Sequence, residues 1–112
     1  MSKDKLQMII KDVILGIQKI VKNDLGSVIL YGSYARGDYD QESDIDIALL
    51  LKCTRMEMKV YTEALAELMV DLNLEYDVLV SFCSIPYKEF IEKRNVLPYY
   101  RNIEQEGVKL IA

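Results

Sequence analysis

The chain has 112 residues, 51% of them apolar, and 18 acids against 14 bases give a net charge of −4. That length fits one compact core, so residues 1–112 read as a single domain, and the acidic balance argues against direct binding to nucleic acid, which usually takes a basic excess. There is no histidine, which excludes Ser-His-Asp and Cys-His catalysis and histidine-bound zinc; a metal would be held mainly by carboxylates, as suits Mg²⁺, Mn²⁺ or Ca²⁺.

The first predicted element is a helix over residues 3–23. Leu6, Ile9, Ile10, Val13, Ile14, Ile17, Ile20 and Val21 recur there at three- and four-residue steps. Gly26 reads as its stop signal. The charges near the N-terminus do not fit a signal peptide, and the longest apolar run, residues 47–51, is too short to cross a membrane. A cytoplasmic protein without membrane contact is expected.

Residues 27–31 are apolar and β-branched, and predict a buried strand. Gly32-Ser33 breaks it, and residues 34–43 predict a short helical turn and a polar loop. Residues 44–51 read as a second strand. Residues 55–73 read as one helix, with Met56, Val60, Ala64, Leu65, Leu68, Met69 and Leu72 on its apolar face. Residues 76–82 read as a third strand. Ser84-Ile85-Pro86 predicts a helix start, since serine caps and proline is tolerated in a first turn. Pro98 opens a last helix that Gly107 ends, and residues 108–111 are a short strand or a tail. Cys53 and Cys83 form no C-x-x-C pair and read as buried thiols of a reducing compartment. The order α-β-(turn)-β-α-β-α-α predicts an α/β (α+β) domain, a small mixed sheet packed with helices.

Chemistry concentrates between residues 32 and 46. Gly32 and Gly37 have the glycine spacing of a P-loop, but Asp38 and Tyr39 replace its lysine and hydroxyl residue, and an acid there repels phosphate. A calcium loop opening at Asp38 fails too, lacking the glycine at Ser43 and the glutamate at Leu49. What remains is Gly-Ser at a strand end and two acids on the next strand. Residues i and i+2 of a strand share a face, so Asp44 and Asp46 are expected side by side. Asp46 lies between Ile45 and Ile47. A buried, unpaired carboxylate is costly, and a second one beside it resists ionisation further unless a cation bridges the two. Asp77, between Tyr76 and Val78, repeats the oddity. Three such acids could hold two metals about 3.5–4 Å apart, as used for in-line displacement at phosphorus. Gly32 lets a phosphate reach the backbone, and Ser33 offers a hydroxyl. Arg36 suits either a phosphate or an ion pair with Asp38 or Asp40. Tyr34 and Tyr39 read as exposed loop aromatics, with stacking on a base as the other reading. Asp46 on its own also fits a solvent-facing position on an edge strand.

The string Gly32-Ser33, ten residues, Asp44-x-Asp46 resembles the signature of the nucleotidyltransferase superfamily that includes DNA polymerase β. The fuller form, Gly-Ser-x-Ala-Arg-Gly and then Ser-Asp-Ile-Asp, resembles its minimal nucleotidyltransferases (MNT), and residues 99–107 are similar to the tail of MNT antitoxins. The resemblance implies a nucleotidyltransferase fold. It implies that Asp44 and Asp46 bind two Mg²⁺ carrying the triphosphate of ATP, and that Asp77 completes the catalytic metal site and helps deprotonate the attacking hydroxyl. Gly32 and Ser33 would hold the β- and γ-phosphates, with Arg36 on the same side. It also implies a partner: an MNT antitoxin transfers AMP to a tyrosine of a HEPN RNase toxin and silences it in a hetero-oligomer. The alternatives are an antitoxin that masks its toxin without chemistry, and the nucleotidyltransferase subunit of a small-molecule-modifying enzyme. Little chain follows the site strands, so the site is expected to stay open to a partner.

Overall fold

A computed structural model describes residues 1–111 of the chain. The first helix, α1 (Lys3–Val21), is capped by Ser2, whose hydroxyl accepts from the Lys5 N–H at 3.1 Å. Ile9, Val13, Ile17 and Val21, one helical turn apart, are its buried stripe. It ends at Lys22, which takes a positive φ of 50°, and a 3₁₀ turn (Lys22–Asp24) follows. Gly26 is therefore not the stop. It lies inside β1 (Leu25–Tyr31), where the pairing with the next strand slips between Leu25 and Ser27. A Cβ at Gly26 would press on the Leu50 carbonyl and the Tyr87 ring, so this glycine serves a bulge under close packing.

After a four-residue helix, α2 (Ser33–Arg36), the chain loops into β2 (Ile45–Leu51). The predicted helix over residues 55–73 is broken. Thr54 and Glu57 form a reciprocal capping box that starts α3 (Arg55–Met58), a 3₁₀ turn (Lys59–Tyr61) intervenes, and α4 (Thr62–Tyr76) runs three residues past the expected end. The break turns Met56 and Val60 outward, each 76% exposed, while Leu65 and Leu72 stay buried.

The third strand, β3 (Val80–Pro86), begins four residues later than the pattern predicts. Tyr76 belongs to the last turn of α4, where its hydroxyl donates to Asp12 on α1. Asp77 ends α4 in the left-handed conformation, φ 53°, which aspartate tolerates better than most residues. Asn73 then accepts the Val80 N–H at 2.8 Å, and Leu79 gives its carbonyl to the Ile45 N–H at 2.8 Å. Ser84-Ile85-Pro86 is the end of β3, not a helix start; it pairs with residues 49–51 and buries Ile85. Helix α5 (Tyr87–Lys93) begins one residue later, α6 (Pro98–Glu106) follows, and residues 108–111 form β4 (Val108–Ile111).

The four strands lie in the order β3-β2-β1-β4, with β2 and β3 parallel and the β1 pairs antiparallel. The sheet is mixed, as expected. Helices cover both faces. Val28, Leu30, Ile45, Ile47, Leu49 and Leu51 pack on α1 and α4. Ile29, Ala48 and Leu50 pack on Phe90 of α5 and on Tyr100 and Ile103 of α6. Two-sided burial explains why β1 and β2 read as continuous apolar runs. On the second face Tyr100 donates to Glu89, and Arg55 pairs with the same carboxylate at 2.5 Å, which ties α3, α5 and α6 together. Cys53 and Cys83 are free and half-buried. No helix among the described residues is long and apolar enough to cross a membrane.

The helix break is testable by urea unfolding. Leu72→Ala is expected to cost about 2–5 kcal/mol. Met56→Ala and Val60→Ala, despite sharing the helical pattern, should each stay within about 0.5 kcal/mol.

Candidate active site

The site forms where β1 ends. Gly32 takes φ 74°, a conformation suited to glycine, and turns the chain into α2. Gly37 closes α2 in the left-handed region with φ 86°. Tyr31 lies directly across the ladder from Asp46, and Ser81 of β3 pairs with Asp46 on the other side. Asp46 is thus on a central strand, not an edge. It shares the sheet face of Ala48 and Leu50, and leads that face out toward Gly32. A Cβ built on Gly32 would overlap the Asp46 Oδ2 atom. Any other residue at position 32 would have to push the carboxylate away.

Asp44 is exposed and sits just before β2 rather than in its ladder. It is still close enough for its charge to act on Asp46. Burial, and then the charge of Asp44, push the Asp46 carboxyl above the usual range, and Arg36 offsets part of this. No side-chain hydrogen bond or ion pair among the described residues engages either carboxylate. Two neighbouring acids that no cationic side chain engages directly have the chemistry of a hard-cation site. These residues fit a divalent metal.

The other expected members distribute differently. Arg36 pairs with Asp38 at 3.2 Å and with Glu106 of α6 at 3.3 Å. Asp40 instead organises its own loop, accepting from the Glu42 N–H at 2.8 Å. Ser33 opens α2, beside the carboxylates that Gly32 approaches. Tyr34 is buried and stacks on Tyr39 with centroids 4.2 Å apart and planes at 10°, so the two are not exposed loop aromatics. Asp77 is the main departure. Its expected strand position is overturned: it caps α4 and lines a cleft with Asp40, Ser43 and Asn73. No three histidine, cysteine, aspartate or glutamate side chains among the described residues gather to hold one ion, so Asp44, Asp46 and Asp77 do not form a cluster.

Three residues at the site escaped the sequence reading. Tyr31, Tyr99 and Glu106 line the cleft next to Gly32. Tyr99 and Glu106 are seven apart on α6, a helical repeat that was legible, but nothing local shows that this stripe meets the end of β1. A larger cleft of about 730 Å³ lies at the opposite end of the sheet, around Lys52, Arg55 and Glu89. It is not the better candidate, because it lies past the far end of β2 from Asp44 and Asp46.

Asp46 links the site to stability. A carboxyl raised in the folded state binds its proton more tightly there than in the unfolded chain, so stability falls as pH rises from the unfolded value through the folded one. Asp46→Asn is therefore expected to raise the melting temperature of the metal-free protein at neutral pH. The gain should shrink as pH drops and vanish below the range where unfolded aspartate titrates, about pH 4; melting curves from pH 3 to 8 check this.

The chain matches a family model described as a nucleotidyltransferase domain over residues 10–110. It is 37% identical over 102 residues to "Putative protein adenylyltransferase MJ0141" of Methanocaldococcus jannaschii, covering 91% of this chain and 95% of that protein. Among solved structures, a minimal nucleotidyltransferase superposes with a TM-score of 0.61 at 20% identity, covering 96% of this chain and 95% of the other. A toxin–antitoxin crystallised with AMP-PNP superposes with a TM-score of 0.60 at 21% identity, covering 90% of this chain and 71% of that one. The close approach of Gly32 to Asp46, the acid pair at the start of β2 and the match along nearly the whole chain agree, and the protein belongs to the nucleotidyltransferase family, with the fold of its minimal members.

Proposed function

We propose that this chain is the antitoxin of a toxin–antitoxin pair, and that it transfers AMP from ATP to a tyrosine hydroxyl of a HEPN RNase toxin. The observation that carries the reading is the neighbouring pair Asp44 and Asp46, engaged in no ion pair among the described residues, at the turn that Gly32 makes. The protein-adenylyltransferase name of the archaeal relative and the toxin–antitoxin fold neighbour support the choice of acceptor.

Asp44 and Asp46 would hold the divalent ions, two Mg²⁺ in this reading. Such ions, when bound, neutralise triphosphate charge and favour attack at phosphorus. The chain's own residues supply the positioning. A side chain at Gly32 would overlap the Asp46 carboxylate, so glycine here keeps that acid in place beside the start of α2. The Ala35 and Arg36 N–H groups of α2 already donate to the Gly32 carbonyl at 3.1 Å, which leaves the Ser33 and Tyr34 N–H groups and the Ser33 hydroxyl to suit the β- and γ-phosphate oxygens. Arg36 is 44% exposed and held only by surface ion pairs, which are weak, so it can exchange Asp38 and Glu106 for phosphate. The acceptor oxygen bonds to the α-phosphorus, the bond to the bridging oxygen breaks, and pyrophosphate leaves. With both carboxylates engaged as ion ligands, the hydroxyl proton would leave to bulk water. Asp77, at the rim of the neighbouring cleft, has no step in this scheme.

Co-expression with the product of the adjacent reading frame tests the proposal. Intact mass spectrometry should show that partner gaining one or more AMP units. Labelling should fall about 100-fold or more with Asp44→Ala/Asp46→Ala. Full silencing of the toxin by that double variant would instead establish masking by complex formation. AMP found on a small molecule and never on protein would establish a small-molecule nucleotidyltransferase.

A further inference from the structure

Helix α6 carries Tyr99, Asn102 and Glu106 at three- and four-residue steps, hence on one stripe. The stripe faces the end of β1. With Tyr31, Gly32 and Arg36, it lines a cleft of about 190 Å³. This cleft opens beside the carboxylates, because a side chain at Gly32 would overlap Asp46 and Tyr31 is the cross-strand partner of Asp46. Sites for drug-sized ligands run to roughly 300–1,000 Å³. The cleft is smaller and suits one flat base.

Its aromatic wall is fixed in place. The Tyr99 hydroxyl lies 2.7 Å from that of Tyr31, and the rings meet edge to face at 6.1 Å and 85°. Yet Tyr99 remains 46% exposed. Burial pushes both phenols up, so both are neutral at physiological pH and act through ring and hydroxyl rather than charge. An oriented, half-exposed ring lining an open cleft is the arrangement that stacks a base. Asn102, one turn further, adds an amide with donor and acceptor together, the group that matches the N6/N7 edge of adenine. The loop pair Tyr34 and Tyr39 cannot serve, because those rings stack on each other.

We propose that this cleft is the nucleobase subsite: the base of the donor nucleotide stacks on Tyr99, Asn102 reads its edge in favour of adenine, and the triphosphate lies at Gly32 and Ser33. The inference rests on the placement of the triphosphate proposed above. Calorimetric titration of the full chain with Mg²⁺ and ATP, GTP or inorganic tripolyphosphate tests it. Tyr99→Ala should weaken ATP roughly 5- to 100-fold and leave tripolyphosphate within about twofold. Tyr99→Phe keeps the ring and should stay near the wild-type affinity. Asn102→Ala should bring ATP and GTP together. Unchanged tripolyphosphate binding doubles as evidence that each variant is folded. Equal weakening of ATP and tripolyphosphate, or of neither, by Tyr99→Ala would overturn the proposal. So would unchanged nucleotide affinity with loss of transfer to protein, which would assign Tyr99 to the acceptor. A wild-type chain that binds neither ATP nor tripolyphosphate would fail the triphosphate placement itself, and the subsite with it.

Discussion

One close approach organises the functional end of this molecule: the Asp46 carboxylate occupies the space a side chain at Gly32 would need. The approach depends on the register of β1 against β2, which sets Tyr31 opposite Asp46. That register is not held by the site. It is held by Ile45, Ile47, Leu49 and Leu51, all fully buried on the α1/α4 face. Each such side chain contributes about 1.5–3 kcal/mol on burial. A slip of one residue would turn all of them to the other face and carry Asp46 into the apolar layer beneath α1 and α4. The apolar core thereby aims an acid that it could not itself tolerate.

The same logic explains why the site lies at a sheet end. Both faces of the sheet are covered by helices, so a half-buried carboxylate reaches open space only where the strands run out. There Asp46 stands next to Asp44 with no cationic partner of its own, while Arg36 is drawn off to Asp38 and Glu106. The arrangement places unrelieved negative charge where a cation and a phosphate would relieve it. Stability at neutral pH is lower for it, and binding has the more to gain.

Much of this was legible in the chain. The apolar stripe of α1, the strand run that ends at Gly32 and the acid pair after it all come from local periodicity, and all survive in the structure. Three features were not legible, each for a physical reason. The helix over residues 55–73 keeps its apolar pattern through the break, because Met56 and Val60 sit at helical spacing although the capping box at Thr54 and Glu57 starts a separate turn. Asp77 looks like a strand acid because Val78 and Leu79 follow it; the hydrogen bond from Tyr76 to Asp12, a contact 64 residues away, draws that segment into α4. Tyr99 and Glu106 lie far from the motif in sequence, and only the packing of α6 over Ile29 and Ala48 carries them to Gly32. Local signals thus located the acids and the turn at Gly32, and long-range packing supplied the wall.

The dependence of the acid pair on the bare Gly32 is read out by Mn²⁺ titration of wild-type and Gly32→Ala protein, followed by the paramagnetic resonance signal of the ion. Wild type is expected to bind Mn²⁺, and binding should tighten as pH rises through the raised Asp46 titration. Gly32→Ala, folded as judged by circular dichroism, is expected to lose it, because the new methyl group displaces the Asp46 carboxylate from Asp44. A folded Gly32→Ala protein that binds Mn²⁺ as tightly as wild type would contradict the account.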